Sequence, residues 1–433
     1  MMALLSLISQ SWLAGQAMPH DHSSMPGMQM PGMTEHDNSD PAERFLMHLS
    51  SGTSVNPEGW PMPMLSPTLG SWRVMLMGQA FLVDTQQTGP RGGDKLYSSN
   101  WFMSSFEHKA GQSGAFQLQV MISLEPATVT QRRYPLLFQT GESAFGKPIV
   151  DGQHPHDLFM GLTLQYARSL SENALWYVSF APVGDPALGP VAYPHRASAM
   201  ELPQAPISHH WQDSSHIANE VITSGIAYKR LRVEASGFYG TEPNENRWNI
   251  DHGPINSWST RLWYAPGKNW ISQVSVGRLT HPETLHPGDQ IRTTASLEYT
   301  KPMPGGSWAS SFVWGRNHST ATKRSTDAYL VESVLPIRKK GFLTGRVESV
   351  DKDELFADDP ELEEQLETQH GSSFRVGAYT IGYTRDFHLF DRLQTGIGGN
   401  ITLYSFPAAI KPYYGEHPFG ANIFLRVRLR SGT

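Results

Sequence analysis

The last strand-like segment of the chain, residues 419–430, reads FGANIFLRVRLR. Every second position is apolar or small, and the positions between carry mainly polar side chains, including three arginines. One face holds Phe419, Ala421, Ile423, Leu425, Val427 and Leu429, and the other holds Asn422, Arg426, Arg428 and Arg430. Successive side chains of a β-strand point to opposite faces of a sheet. The segment is therefore predicted to be a strand with one apolar and one charged face, which is typical of a transmembrane barrel.

The same alternation recurs along the chain, for example in residues 231–240 and 291–300. We count about sixteen such segments of strand length. They are residues 71–83, 99–108, 114–124, 158–168, 174–183, 218–229, 231–240, 257–265, 269–280, 291–300, 307–317, 327–335, 341–350, 373–386, 392–405 and 418–430. An even number of antiparallel strands suits closure into a barrel.

The connections between these segments fall into two length classes that alternate along the chain. The short connections are residues 109–113, 169–173, 265–268, 302–306, 336–340 and 388–391, and the long ones are residues 84–98, 125–157, 184–217, 241–256, 281–290, 351–372 and 406–417. Short turns at one end and long loops at the other are typical of outer-membrane barrels. A soluble sandwich or propeller also has many short strands, but this sidedness is not expected of it.

The fold prediction is all-β: a closed antiparallel transmembrane β-barrel of about 16 strands within residues 70–433, in contact with the lipid of a Gram-negative-type outer membrane. Its long loops would be extracellular and its short turns periplasmic. Aromatic residues near strand ends, among them Trp101, Trp258 and Trp263, would form interfacial girdles. The polar face would line the lumen with Arg232, Glu234, Arg292, Glu298, Arg346, Glu348, Arg426 and Arg428. Whether these charges plug the lumen or border a water-filled pore stays open.

Composition excludes several function classes. The net charge is -6, without a strongly basic patch, and this argues against nucleic acid as a partner because phosphate binding needs clustered lysine and arginine. The chain has no cysteine, which removes disulfides and thiolate metal sites. No catalytic triad or phosphate-binding loop is recognisable, so we predict that the protein is not an enzyme.

The N-terminal region divides into two parts. Residues 1–17 contain an apolar stretch, Ala3 to Ile8, and end in Gly-Gln-Ala, which predicts a secretory signal peptide. An ordinary apolar strand or helix is the alternative. Residues 18–69 are rich in Met, Pro, Gly, His and Ser and lack large apolar residues in register. They are predicted to form a disordered, flexible arm.

The start of this arm carries a dense set of potential metal ligands. These are Met18, His20, His22, Met25, Met28, Met30, Met33 and His36. Thioether sulfur is a soft donor that prefers Cu(I), whereas imidazole also suits Cu(II). The arm is therefore predicted to bind copper. Zinc, nickel or a linker without a metal role are the alternatives.

A Met- and His-containing arm ahead of a β-barrel resembles the outer-membrane copper-resistance proteins of the B type. The resemblance rests on residues 18–36 and on the barrel class. It implies copper tolerance by sequestration or passage at the outer membrane. The ligands it implies are Met25, Met28, Met30, Met33, His20 and His22.

A second group of histidines lies in two of the long connections. His154 and His156 end the connection at 125–157, and the connection at 184–217 contains His195, His209, His210, Asp213 and His216. If these loops fold into the lumen, His154, His156, His209 and His210 could form a metal site or a constriction. Ordinary loop histidines with satisfied hydrogen bonds are the alternative.

The sequence therefore predicts an outer-membrane copper-handling protein. Its expected partners are metal ions and periplasmic copper proteins. The alternative function is a porin-like channel for small solutes, with no specific metal role.

Overall fold

A computed structural model describes residues 40–213, 218–283 and 288–430. The strands are β1 (Thr68–Leu69), β2 (Trp72–Gln87), β3 (Gly93–Lys109), β4 (Gly114–Ile122), β5 (Tyr134–Ala144), β6 (Lys147–Gln153), β7 (Phe159–Ser171), β8 (Ala174–Gly184), β9 (Ala218–Tyr228), β10 (Leu231–Tyr239), β11 (Ser257–Gly267), β12 (Trp270–Leu279), β13 (Gln290–Met303), β14 (Gly306–Ser319), β15 (Ser325–Ile337), β16 (Gly341–Lys352), β17 (Phe374–Phe390), β18 (Leu393–Ser405) and β19 (Phe419–Leu429). The helices are α1 (Pro41–Met47), α2 (Glu125–Thr128), α3 (His209–Gln212), α4 (Pro360–His370) and α5 (Lys411–Tyr414). None of the described helices is long and apolar enough to cross a membrane.

Sixteen of these strands form one closed antiparallel barrel, and they match the sixteen predicted segments. Strands β2 to β4 and β7 to β19 each pair with their neighbours, and β19 returns to pair with β2, for example through Leu425 opposite Leu82. Strands β5 and β6 form a separate hairpin, so that β4 pairs directly with β7. The predicted fold is confirmed.

The two faces of the wall have the polarity expected of a membrane barrel. On β19, the Leu425 side chain is 44% exposed on the outer surface, whereas the neighbouring Arg426 is fully buried on the lumen side. All eight predicted lumen residues, from Arg232 to Arg428, are buried. The predicted aromatic girdle holds for Trp258, which faces outward, but not for Trp101 and Trp263, which are buried on the inner wall.

The lumen is occupied by chain from the long connections. The hairpin β5–β6 and residues 185–213 lie inside it, and many of their polar groups bind the wall. Arg196, for example, donates from Nε to Glu332 Oε1 at 2.6 Å, and Arg346 of the wall donates to the other oxygen of the same carboxylate at 2.9 Å. Buried charges of the wall, such as Glu332 and Arg346, therefore pair with one another and with a plug formed by the hairpin β5–β6 and residues 185–213.

The flexible arm predicted for residues 18–69 is wrong for residues 40–69. Helix α1 starts at an Asp40 cap and buries Leu46 against inner-wall alanines of β4 and β7. Farther along, Asn56 donates to the carbonyl of His195 at 3.0 Å and accepts from the Ala197 amide at 2.9 Å. Polar contacts within the lumen order this segment, although it lacks the apolar register from which order is usually predicted.

Candidate metal centre in the lumen

Three of the four predicted loop histidines meet inside the barrel. His154 follows the hairpin strand β6, and His209 and His210 open the short helix α3. Each offers a ring nitrogen, and these nitrogen atoms lie within 4.8 Å of one another. All three side chains are buried. Two separate loops therefore converge on one cluster of imidazoles.

The contacts of His154 fix its orientation. The Pro155 carbonyl lies 3.0 Å from Nδ1 and accepts its proton, which leaves the lone pair on Nε2. Nε2 faces Glu142 Oε1 at 3.1 Å. Burial, together with the charge of nearby Arg247, holds the pKa of His154 well below its usual value. A lone pair facing a carboxylate oxygen is favourable only when a proton or a metal cation lies between them.

The other two imidazoles lie beside polar groups of their own. His209 Nε2 lies 3.1 Å from Gln153 Oε1, and that oxygen also accepts from Gln139 at 2.7 Å. His210 Nδ1 lies 3.9 Å from Glu242 Oε1. Burial, with the charges of Glu283 and Glu142, raises the pKa of Glu242 well above its usual value. Such partners orient metal-bound histidines in many proteins.

The spacing suits a metal ion after a small adjustment. A tetrahedral ion with nitrogen ligands at 2.0–2.1 Å places those nitrogens about 3.3 Å apart. The ring nitrogens of the cluster lie within 4.8 Å of one another, so binding requires at most a small closure of the loops. Gly141 of β5 makes the approach of His210 possible, because a Cβ at Gly141 would lie only 2.4 Å from the His210 ring.

His156, the fourth predicted loop ligand, is engaged elsewhere. Its Nδ1 lies 2.9 Å from Glu125 Oε2, and the same oxygen accepts from the His156 backbone amide at 2.8 Å. Burial alone would lower the pKa of His156, but the Glu125 carboxylate raises it above its usual value. The Glu125 carboxylate therefore already occupies Nδ1 of this ring.

The remaining predicted ligands, Met18, His20, His22, Met25, Met28, Met30, Met33 and His36, lie outside the described residues, as does His216. Sequence reasoning missed the partners Glu142, Gln153, Glu242 and Arg247. Arg247 pairs with Glu142 and lies 3.1 Å from Asp157, so the loop at 241–256 is tied to the hairpin and to the segment that precedes β7. Their spacing in the sequence gives no signal of this, because two different loops supply them.

Comparisons with known proteins address the fold. No family model matches the chain, and no curated protein matches it. An anion-selective porin from Comamonas acidovorans superposes with a TM-score of 0.53 at 10% identity, over 82% of this chain and 99% of that one. OmpF of Salmonella typhi, solved with daunomycin, gives 0.50 at 10% identity, over 84% and 100%. The chain has a porin fold. A barrel of this class belongs to a Gram-negative outer membrane, with its apolar outer face in contact with lipid.

Proposed function

We propose that this porin-type barrel handles transition-metal ions at the outer membrane, with His154, His209 and His210 as an ion site in its lumen. The observation that carries the proposal is the convergence of three buried imidazoles from two loops. Neutral imidazole is a good ligand for Cu(II), Zn(II) and Ni(II). The Glu142 carboxylate beside His154 would balance part of the charge of the ion, and Glu242 beside His210 would add to this balance on releasing its proton.

Copper is the ion we favour. The support comes from the predicted Met- and His-rich arm at residues 18–36 and from its resemblance to the B-type copper-resistance proteins. None of the matching structures described above is named for copper. We propose sequestration or passage of the ion, with the arm exchanging copper with periplasmic copper proteins. No chemical step is required.

The proposal is tested by titrating the refolded full-length protein with Cu(II), Zn(II) and Ni(II) and counting tightly bound ions. The double variant His209→Gln, His210→Gln removes two ligands and keeps hydrogen-bonding side chains in their place. His252→Gln is the control, because His252 is 69% exposed and pairs with Glu220 on the surface. Substituting the arm ligands in the same background separates the lumen site from the arm.

We expect the double variant to lose one tightly bound ion and the His252 variant to lose none. Equal stoichiometry in all three proteins would rule out the lumen site. A preference for zinc over copper in the parent protein would retain the site but replace the proposed metal.

The second candidate is a porin-like channel for small solutes, which the likeness to the two porins supports more directly than it supports copper. Against it stands the occupied lumen, because conduction would require the plug to move. Conductance in planar bilayers with potassium chloride and uptake of a small sugar into liposomes test this candidate. Sugar uptake that is unchanged by copper and by substitution of His209 and His210 would favour it over metal handling.

A further inference from the structure

We infer that the lumen holds a second metal site, selective for Cu(I), in which His195 acts together with the thioethers of Met121 and Met160. This inference rests on the proposed metal-handling function for the identity of the ion. The proposed ligands lie on the wall strands β4 and β7 and in the loop at 185–213. None of them belongs to the three-histidine centre.

The first observation is a ladder of methionines across the inner wall. Met77 on β2 lies directly opposite Met103 on β3, and Met103 lies opposite Met121 on β4. Opposite residues on neighbouring strands have Cβ atoms about 5 Å apart. Met160, at the start of β7, packs into the same cluster, and Met62 and Met64 of the N-terminal segment lie against it.

The methionines belong to a buried apolar cluster that also contains Trp101 and Val183. Polar side chains border this cluster, since Gln79, Ser105 and Gln119 are buried on the same inner wall. Packing accounts for the burial of these methionines, so the case for a metal role rests on the cavity beside them and on His195. Methionine is also the side chain that combines adaptable packing with a soft donor atom.

The second observation is a small cavity where this ladder ends. Met121 and Met160 line it together with His156, His195 and His209. Its free volume of about 30 Å³ suffices for a single water-sized species. Asp185 and Asp213 also line the cavity, so an ion there would meet thioether, imidazole and carboxylate side chains.

The third observation is the state of His195. Its side chain is 96% buried, at 4% exposure, and its ring packs edge-on against Trp101 at 4.2 Å between ring centroids. Its Nδ1 has no hydrogen-bond partner among the described residues. A buried nitrogen without a partner is costly, and a bound ion would remove that cost.

The donor sets of the two sites differ in softness. Two thioethers and one imidazole favour Cu(I), whereas three imidazoles beside carboxylates suit Cu(II) or Zn(II). His209 belongs to the three-histidine cluster and also lines the cavity, so the sites are adjacent. The lumen would thus accept copper in either oxidation state at neighbouring positions.

The experiment is an anaerobic Cu(I) titration of the full-length protein against a chromogenic Cu(I) chelator, in a background with Met25, Met28, Met30 and Met33 changed to leucine. The test variants are Met121→Leu with Met160→Leu, and His195→Gln. The matched control is Met77→Leu with Met103→Leu, which alters the same ladder away from the cavity. X-ray absorption at the copper edge reports sulfur ligands, and the gel shift of the unheated barrel reports folding.

We expect each test variant to lose one bound Cu(I). The variant with Met121→Leu and Met160→Leu should also lose the copper–sulfur signal. The control should keep both the bound Cu(I) and the copper–sulfur signal. Unchanged Cu(I) stoichiometry in the test variants, or an equal loss in the control, would overturn the inference. A Cu(II) titration of the same proteins separates the two proposals. If substitution of Met121 and Met160 removes a bound Cu(I) and leaves Cu(II) binding unchanged, the second site is supported. This conclusion holds even if the parent protein binds no Cu(II) at the three-histidine centre.

Discussion

At the scale of single residues, the lumen is held together by buried charges that share partners. The carboxylate of Glu332 on β15 receives hydrogen bonds from Arg196 of the plug and Arg346 of the wall, and all three side chains are almost fully buried. Removing one partner of a buried ion pair leaves the other charge without compensation. Exposed pairs on the outer rim, such as Arg316 with Asp327, carry far less free energy.

We therefore expect Glu332→Gln to lower the free energy of unfolding by about 3–5 kcal/mol, because two buried guanidinium groups lose their shared carboxylate. The control Glu367→Gln breaks the exposed pair of Glu367 with Arg324 and should cost about 0–1 kcal/mol. Urea titration of the folded barrel in detergent measures both. Equal losses in the two variants would contradict the structural role given to Glu332.

A second prediction at this scale separates the neighbouring residues His154 and His156. His154→Gln should abolish the lumen ion site, because His154 supplies one of the three imidazoles of the cluster. His156→Gln should leave the number of bound Cu(II) ions unchanged, because Glu125 already holds that ring. Cu(II) titration of the two variants is the check, and an equal loss in both would place His156 among the ligands.

At the scale of secondary structure, the sixteen wall strands could be predicted because each has one face in lipid and one in the lumen. Because of that contrast, apolar and polar residues alternate with a period of two along each strand, as in residues 419–430. The hairpin β5–β6 has no such contrast: inside the lumen, most of its side chains on both faces are buried. Residues 125–157 therefore gave no strand signal and were predicted as a loop.

The candidate site was predictable only in part, for a related reason. The unusual His-Pro-His-Asp at 154–157 and the pair His209–His210 indicated a metal site within the long connections. Which histidines meet depends on how two loops dock across the lumen. Sequence spacing therefore could not separate His156 from His154, and it gave no sign of Glu142 or Glu242.

The hairpin itself supplies a test of the site that leaves every ligand in place. Gly141→Ala would put a Cβ 2.4 Å from the His210 ring, at a φ of +104°, and should displace that ring and weaken metal binding. Gly146→Ala, in the turn of the same hairpin, has a φ of +72° and open space around it. The control should cost only the strain of about 1–2 kcal/mol that a side chain meets at positive φ. Metal affinities that fall equally in both variants would contradict the role of Gly141.

At the scale of the whole molecule, the chain combines a porin-type wall with a filled lumen. The sixteen strands form the wall, and the long connections together with residues 40–67 occupy the lumen. The Asn56 side chain forms two hydrogen bonds with the backbone of the loop that carries His195. The same loop continues to His209 and His210. The N-terminal segment and the candidate ion sites thus belong to one packed interior.

Deleting residues 40–67 should therefore raise the conductance of the barrel in planar bilayers, because it removes chain that occupies the lumen. Deleting residues 18–36 is the control, since it removes the predicted copper ligands and leaves residues 40–67 in place. The first deletion should give larger single-channel currents than the full chain, and the second should not. Currents that match the full chain after the first deletion would show that other segments close the lumen.

The most direct test of metal handling is crystallography of the full chain with copper, using anomalous scattering at the copper edge. We expect an anomalous peak between His154, His209 and His210, with the ring nitrogens drawn in to about 2.0 Å from the ion. Copper found only elsewhere in the molecule, with the three imidazoles left as they stand here, would contradict the proposed function and leave the small-solute channel as the better explanation.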